Sequence, residues 1–122
     1  VERLKENLLQ KARSVNGVTV VTAVVPLKPE AAKDLVFKLR QACPEKLLAV
    51  VGSHYQERPN LSVMISEDLV NDNGLNAGKM VREAGKLIQG GGGGQAYYAT
   101  AGGKNKDGLS AEVDKVVALA EL

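Results

Sequence analysis

Gly90-Gly91-Gly92-Gly93-Gly94-Gln95-Ala96-Tyr97-Tyr98-Ala99-Thr100-Ala101-Gly102-Gly103 is the stretch on which the reading of this chain turns. Five consecutive glycines are costly to order, because glycine loses more backbone freedom on folding than any other residue. One glycine suffices to end a helix. The surplus calls for positive-φ geometry in a sharp turn, or for a backbone that comes close to a phosphate or sugar. Composition alone equally describes a flexible connector. The flanks argue for a structured loop, because a patterned helix precedes it and a short strand, Ala96 to Ala101, follows it.

Working outward, Asn76 can cap a helix from about Ala77 to Gln89 that leads into the glycines. On the other side, Ser110 can cap a last helix through Leu122, with Val113, Val116, Val117 and Ala120 inward. Upstream, the β-branched run Val18 to Val25, between Gly17 and Pro26, reads as a buried strand. Pro29 suits a first helical turn, and Ala31, Leu35, Val36, Leu39 and Ala42 supply the buried face of a helix that ends before Pro44. Leu47 to Gly52 and Leu61 to Ser66 read as an antiparallel hairpin turning at Arg58-Pro59-Asn60. Asp72-Asn73-Gly74 is a loop signal. Residues 2–16 read as an amphipathic helix with Leu4, Leu8, Ala12 and Val15 on one stripe, stopped by Asn16-Gly17. The expected fold class is α/β: a single-domain sandwich with a mixed, partly antiparallel sheet, packing helices and a glycine-rich loop before the last strand. Residues 1–17 would be the end of a helical linker, and residues 18–122 the globular domain.

Composition narrows the function. One Phe, three Tyr and no Trp leave the core to Val, Leu, Ile and Ala. A net charge of +2 means that any basic footprint for nucleic acid must be local. A single cysteine, Cys43, and a single histidine, His54, exclude an intrachain disulfide and speak against a protein-only zinc site. Cys43 beside Pro44 reads as core, and His54 as a strand-end residue, rather than as a nucleophile and its base. Neither a Walker A loop nor an Asp-rich metal cluster is present. No run approaches a membrane span, no signal peptide opens the chain, and Val1 stands where an initiator Met would. The expectation is a piece of a longer cytoplasmic protein without a catalytic or metal-binding residue of its own.

The local basic footprint is legible. At about 100° per residue, Lys79, Arg82 and Lys86 share one stripe of the helix before the glycines. Met80, Val81, Ala84, Leu87 and Ile88 take the other side. Lys104 and Lys106 follow Gly102-Gly103. These cations form either an ordinary solvated face or one patch for a phosphate backbone. Tyr97 and Tyr98 alternate on a predicted strand, so one should point outward, where it could stack on an unpaired base.

Gly92-Gly93-Gly94, four residues, then Ala99-Thr100-Ala101-Gly102-Gly103 resembles the glycine motif near the end of alanyl-tRNA synthetases. The same motif type marks the DHH-associated domain shared with DHH phosphoesterases such as RecJ-type exonucleases. Those phosphoesterases place a histidine after the triple glycine. Here Gln95 follows, which favours the synthetase branch. The resemblance implies a non-catalytic C-terminal module that holds the outer corner of tRNA. Its contacts would come from Lys79, Arg82, Lys86, Gly91, Gly92, Gly93, Gly94, Gln95, Tyr97, Tyr98, Gly102, Gly103, Lys104 and Lys106. It also implies that ATP and zinc serve only the parent ligase, and that this fragment needs no cofactor. The implied partners are tRNA and the catalytic and editing domains of the parent chain, with no membrane and with a homodimer left open. The alternative is the substrate-binding domain of a DHH-type phosphodiesterase or exonuclease.

Overall fold

Leu47 to Ser53 are buried without interruption, so this strand is covered on both faces and everything else packs around it. The computed structural model describes residues 2–15, 17–55, 58–84, 91–103 and 108–119. In chain order the elements are α1 (Glu2–Gln10), β1 (Arg13–Val15), β2 (Val18–Val25), α2 (Pro29–Ala42), β3 (Leu47–Tyr55), β4 (Arg58–Ile65), α3 (Glu67–Asn73), α4 (Ala77–Ala84), β5 (Gly91–Gly94), β6 (Tyr98–Gly102) and α5 (Leu109–Leu119). The six strands form one sheet in the order β1-β2-β3-β4-β6-β5. Only β2 and β3 run parallel, joined by the crossover helix α2, and the other pairs are antiparallel. This is the mixed α/β single domain that the periodicity predicts.

Alternation along β3 divides the core. Leu48 and Val50 face one side, with Leu61, Val63, Ile65, Ala99 and Ala101, beneath α4 and α5. Leu47, Ala49 and Val51 face the other, with Met64, beneath α2 and Leu8 of α1. Ala99 and Ala101 are the small residues on which α4 rests.

Several boundaries differ from the expectation. The first helix stops at Gln10, and Arg13–Val15 pairs antiparallel with Val18–Val20. Val15 pairs with Val18, and Gly17 before Val18 has φ +84°. A positive-φ glycine suits a tight hairpin, and Gly17 leads into the antiparallel pairing of β1 and β2 rather than stopping a helix. On α2 the buried set is Ala32, Leu35, Val36 and Leu39, while Ala31 is half-buried and Ala42 exposed. The β3–β4 hairpin is longer than its apolar runs, because Tyr55 pairs with Arg58. Pro59 sits near the start of β4, before that strand's pairing with β6 begins at Asn60, where its missing N–H is tolerated. Helix α3 was not expected. Asn73-Gly74 is its C-cap, with Gly74 at φ +70° and its N–H on the Leu69 carbonyl. Ser66 ends no strand but precedes α3, and its Oγ accepts the Leu47 N–H at 2.9 Å. Helix α5 begins at Leu109, so Ser110 lies inside it. Val113 and Val116 are buried and Val117 packs against the same core, while Ala120 lies outside the described residues.

Lys46, before β3, holds a left-handed φ of +51°. Its N–H donates to the Asp68 carboxylate at 2.9 and 3.1 Å, which ties α3 to the strand entry. The Ser66 hydroxyl first, and then the backbone N–H groups of Lys46, Leu69 and Asp68 itself, hold the Asp68 carboxyl below its ordinary pKa; desolvation opposes them and outweighs any one of the backbone bonds. A depressed carboxylate pKa contributes stability above the unfolded-state value and loses it as pH falls through the folded one. Thermal melts should therefore show this contribution intact at neutral pH and fading below about pH 4. Asp68→Asn should lower the melting temperature by a few degrees at pH 7 and leave a shallower acid limb. An unchanged pH profile in the variant would contradict the assignment.

Candidate nucleic-acid interface

The glycine run is a strand at the edge of the sheet. Gly91, Gly92, Gly93 and Gly94 pair with Gly102, Ala101, Thr100 and Ala99. The expected loop is therefore a paired strand with one open side. Two of its glycines are required by the fold. A Cβ on Gly92 would run into the Thr100 carbonyl and lie 2.7 Å from the Ala101 Cβ. A Cβ on Gly94, where φ is +156°, would lie 2.7 Å from both the Ala99 Cα and the Tyr98 carbonyl oxygen. Gly93 is different, because its Cβ would meet only the Arg82 Nε, at 3.9 Å.

The register decides which backbone groups are free. The Gln95 N–H donates to the Tyr98 carbonyl at 2.9 Å, so these two residues close the hairpin as a hydrogen-bonded pair. Bonded and non-bonded pairs alternate along an antiparallel ladder. Gly93 and Gly91 therefore bond to β6, and Gly92 and Gly94 turn their N–H and C=O outward. The Gly94 carbonyl lies against Gly78 of α4, 3.1 Å from where a Gly78 Cβ would stand. Gly92 keeps an open edge.

Helix α4 is fastened to this hairpin. The Asn76 Oδ1 accepts the Lys79 N–H at 3.1 Å, which is the predicted cap. The Ala77 N–H donates to the Ala96 carbonyl at 2.9 Å, and the Ile65 N–H to the Tyr97 carbonyl at 2.7 Å. Ala77, Met80, Val81 and Ala84 are buried, and Lys79 and Arg82 are exposed. Arg82 thus stands beside the open position at Gly93. Lys79 lines a small cleft of about 190 Å³ with Leu75, Asn76 and Glu83. Lys86, Lys104 and Lys106 lie outside the described residues.

The tyrosines go elsewhere. Tyr97 is in the turn, not on a strand, so the two do not alternate. Both pack on the α2 side of the sheet, away from Arg82. Tyr98 lies 5.0 Å from Phe37 between ring centroids, and the Arg40 guanidinium sits 5.3 Å from the Tyr97 ring. Burial pushes the Tyr98 phenol pKa up, so it stays protonated. Gln95 is exposed in the turn. Gly102 and Gly103 are at the far end of β6, where they line a second cleft with Tyr55, Arg58 and Asn60. Tyr55 and Arg58 were not singled out as site residues from sequence, because Tyr55 lies beyond the apolar runs that mark the strands and Arg58 reads as turn chemistry.

The glycines separate into two kinds by experiment. Gly92→Ala and Gly94→Ala should each destabilise the chain by about 1–3 kcal/mol, the range for forced overpacking. Gly93→Ala should melt within about 0.5 kcal/mol of the parent. Circular-dichroism melts that rank the three alike would refute this geometry.

Comparison with known proteins agrees with the fold and the motif. Residues 17–121 match the family model of the DHHA1 domain. The chain is 50% identical over 117 residues to an alanine–tRNA ligase of Bacteroides fragilis, which covers 96% of this chain and 13% of that protein. It is 38% identical over 121 residues to the alanine–tRNA ligase of Porphyromonas gingivalis, 98% of this chain and 14% of that one. The chain thus spans about an eighth of the length of these curated relatives. Among solved structures it resembles the C-Ala domain of Aquifex aeolicus alanyl-tRNA synthetase, with TM-score 0.73, 29% identity, and 90% of this chain and 95% of that one covered. A RecJ structure from Thermus thermophilus shares the fold at TM-score 0.62 and 16% identity, over 98% of this chain and 17% of that one. The chain belongs to the DHHA1 domain family.

Proposed function

We propose that this chain is the tRNA-holding module of an alanine–tRNA ligase and that it acts without chemistry of its own. The observation that carries the reading is the juxtaposition of Arg82 with Gly93 on an edge strand that has no side chains. A guanidinium is suited to a phosphate, and a bare backbone lets a phosphate or sugar come close. Gly93 needs no glycine for packing, and its bare backbone leaves room for close approach by a ligand. Exposed Lys79, one turn from Arg82 on α4, extends the positive stripe. Similarity to ligases and to a C-Ala domain supports tRNA as the RNA.

On this reading the module grips the outer corner of tRNA by shape and backbone. ATP and zinc serve the other domains of the ligase, which are also its partners in the cytoplasm. Among the described residues no three His, Cys, Asp or Glu side chains converge as a metal site would need. Among them too, no helix is long and apolar enough to cross a membrane.

Fluorescence anisotropy with labelled tRNA tests the reading. Binding should weaken steeply with salt, as expected when phosphate contacts displace counterions. Lys79→Ala and Arg82→Ala should each weaken it several-fold and reduce the salt slope by about one. Gly93→Ala should weaken binding while leaving the melting temperature alone. Absence of salt-sensitive binding at low ionic strength would refute the proposal.

A further inference from the structure

The carboxyl ends of the parallel pair β2 and β3 meet the start of β4 and the end of β6 at one end of the sheet. Ligands of open α/β sheets bind beyond the carboxyl ends of such strands. A cleft of about 600 Å³ opens there, floored by Pro59, Asn60 and Gly102 and flanked by Tyr55 and Arg58. It is distinct from the Arg82–Gly93 edge and from the turn at Gln95, which lies at the opposite end of β6.

Its chemistry is specific. Tyr55 is 40% exposed, while Phe37, Tyr97 and Tyr98 are each partly buried. The Lys28 ammonium lies 5.2 Å from the centroid of that ring. Arg58 pairs with Tyr55 across the hairpin end and is itself exposed. The half-buried Asn60 carries a carboxamide 4.0 Å from where a Gly102 Cβ would stand. The opening turn of α2 also faces this region through Pro29, and its N-cap residue Lys28 offers no side-chain acceptor to the first N–H groups. One carboxylate, Glu30, belongs to that turn. Tyr55, Arg58 and Asn60 line the cleft and the Lys28 ammonium lies over the Tyr55 ring, a set that matches a group that is flat and aromatic at one end and anionic at the other.

We propose that this cleft binds a nucleotide: the base stacks on Tyr55 and displaces the Lys28 ammonium from over the ring, Arg58 and the displaced Lys28 hold the phosphate, and the Asn60 carboxamide meets the base edge. The inference rests on the RNA reading in one respect, namely that the nucleotide then belongs to an RNA strand. Gly91 pairs with Gly102, so the open edge of β5 begins beside this cleft. A strand following that edge past Arg82 would deliver an unstacked base to Tyr55.

The probe is 2-aminopurine riboside 5′-monophosphate, whose fluorescence is quenched on stacking and is excited where tyrosine does not absorb. Titration with the full chain should quench it. Tyr55→Phe should keep the quenching and Tyr55→Leu should abolish it. Arg58→Ala should weaken the monophosphate but not the riboside without phosphate. Tyr55→Leu should also weaken tRNA binding about tenfold, the scale of one base–aromatic stack. Melts of each variant check that the fold survives. Quenching that persists in Tyr55→Leu, or no quenching at millimolar protein, overturns the cleft. If tRNA binds and Tyr55→Leu leaves that binding unchanged, the cleft fails and the tRNA reading stands. If the monophosphate is quenched through Tyr55 but tRNA does not bind, the cleft stands as a site for a free nucleotide and the tRNA reading fails.

Discussion

Burial of β3 on both faces is the constraint from which the rest follows. A strand with no solvent side must carry apolar or small residues at every position, and Leu47 to Ser53 does so. It then needs a layer of helix on each side. Helix α2 supplies one as the crossover that makes β2 and β3 parallel. Helices α4 and α5 supply the other. With the centre filled in this way, the polar work moves to the sheet's margins: the β5 edge, the β5–β6 turn, and the end where the parallel strands stop.

Legibility in the sequence follows the strength of the periodic signal. The continuous runs at Val18–Val25 and Leu47–Val51 are both strands; the second is buried throughout, while the first buries Val18, Val20, Val21 and Val25 and leaves Val24 exposed. Signals with two physical meanings were less informative. Asn16-Gly17 can stop a helix or turn a hairpin, and only the neighbouring strand β2 decides between them. Asp72-Asn73-Gly74 marks the end of a helix as readily as a loop, so the seven residues of α3 were hidden behind their own cap. Ser66 shows the same ambiguity, since its hydroxyl accepts the Leu47 N–H at the entry to β3 and does not cap the backbone of α3.

The candidate site was legible by residue type and not by partner. Asn76, Lys79 and Arg82 lie where the helix period puts them. That Arg82 meets Gly93 depends on strand order, since β5 follows β6 in space but precedes it in sequence. The tyrosines show the converse. Alternation was expected to separate them, but Tyr97 sits in a turn, and Arg40 and Phe37 gather both on the α2 side. Tyr55 lies past the apolar runs and Arg58 read as turn chemistry, so neither was marked as a site residue; pairing extends the hairpin to include both as strand residues.

A strand made of glycine alone has a consequence for the order of folding. Gly91–Gly94 brings no side-chain burial and the least favourable backbone entropy of any residue type. It has no reason to form until β6 and α4 are in place to receive it, so it docks last and opens first. Its opening free energy is set locally, by the ladder to β6 and the contact with α4, rather than by the core. The margin beside Arg82 is thus the part of the molecule whose order a bound ligand can most readily change, and binding there would slow amide exchange in β5 while leaving β3 as it was.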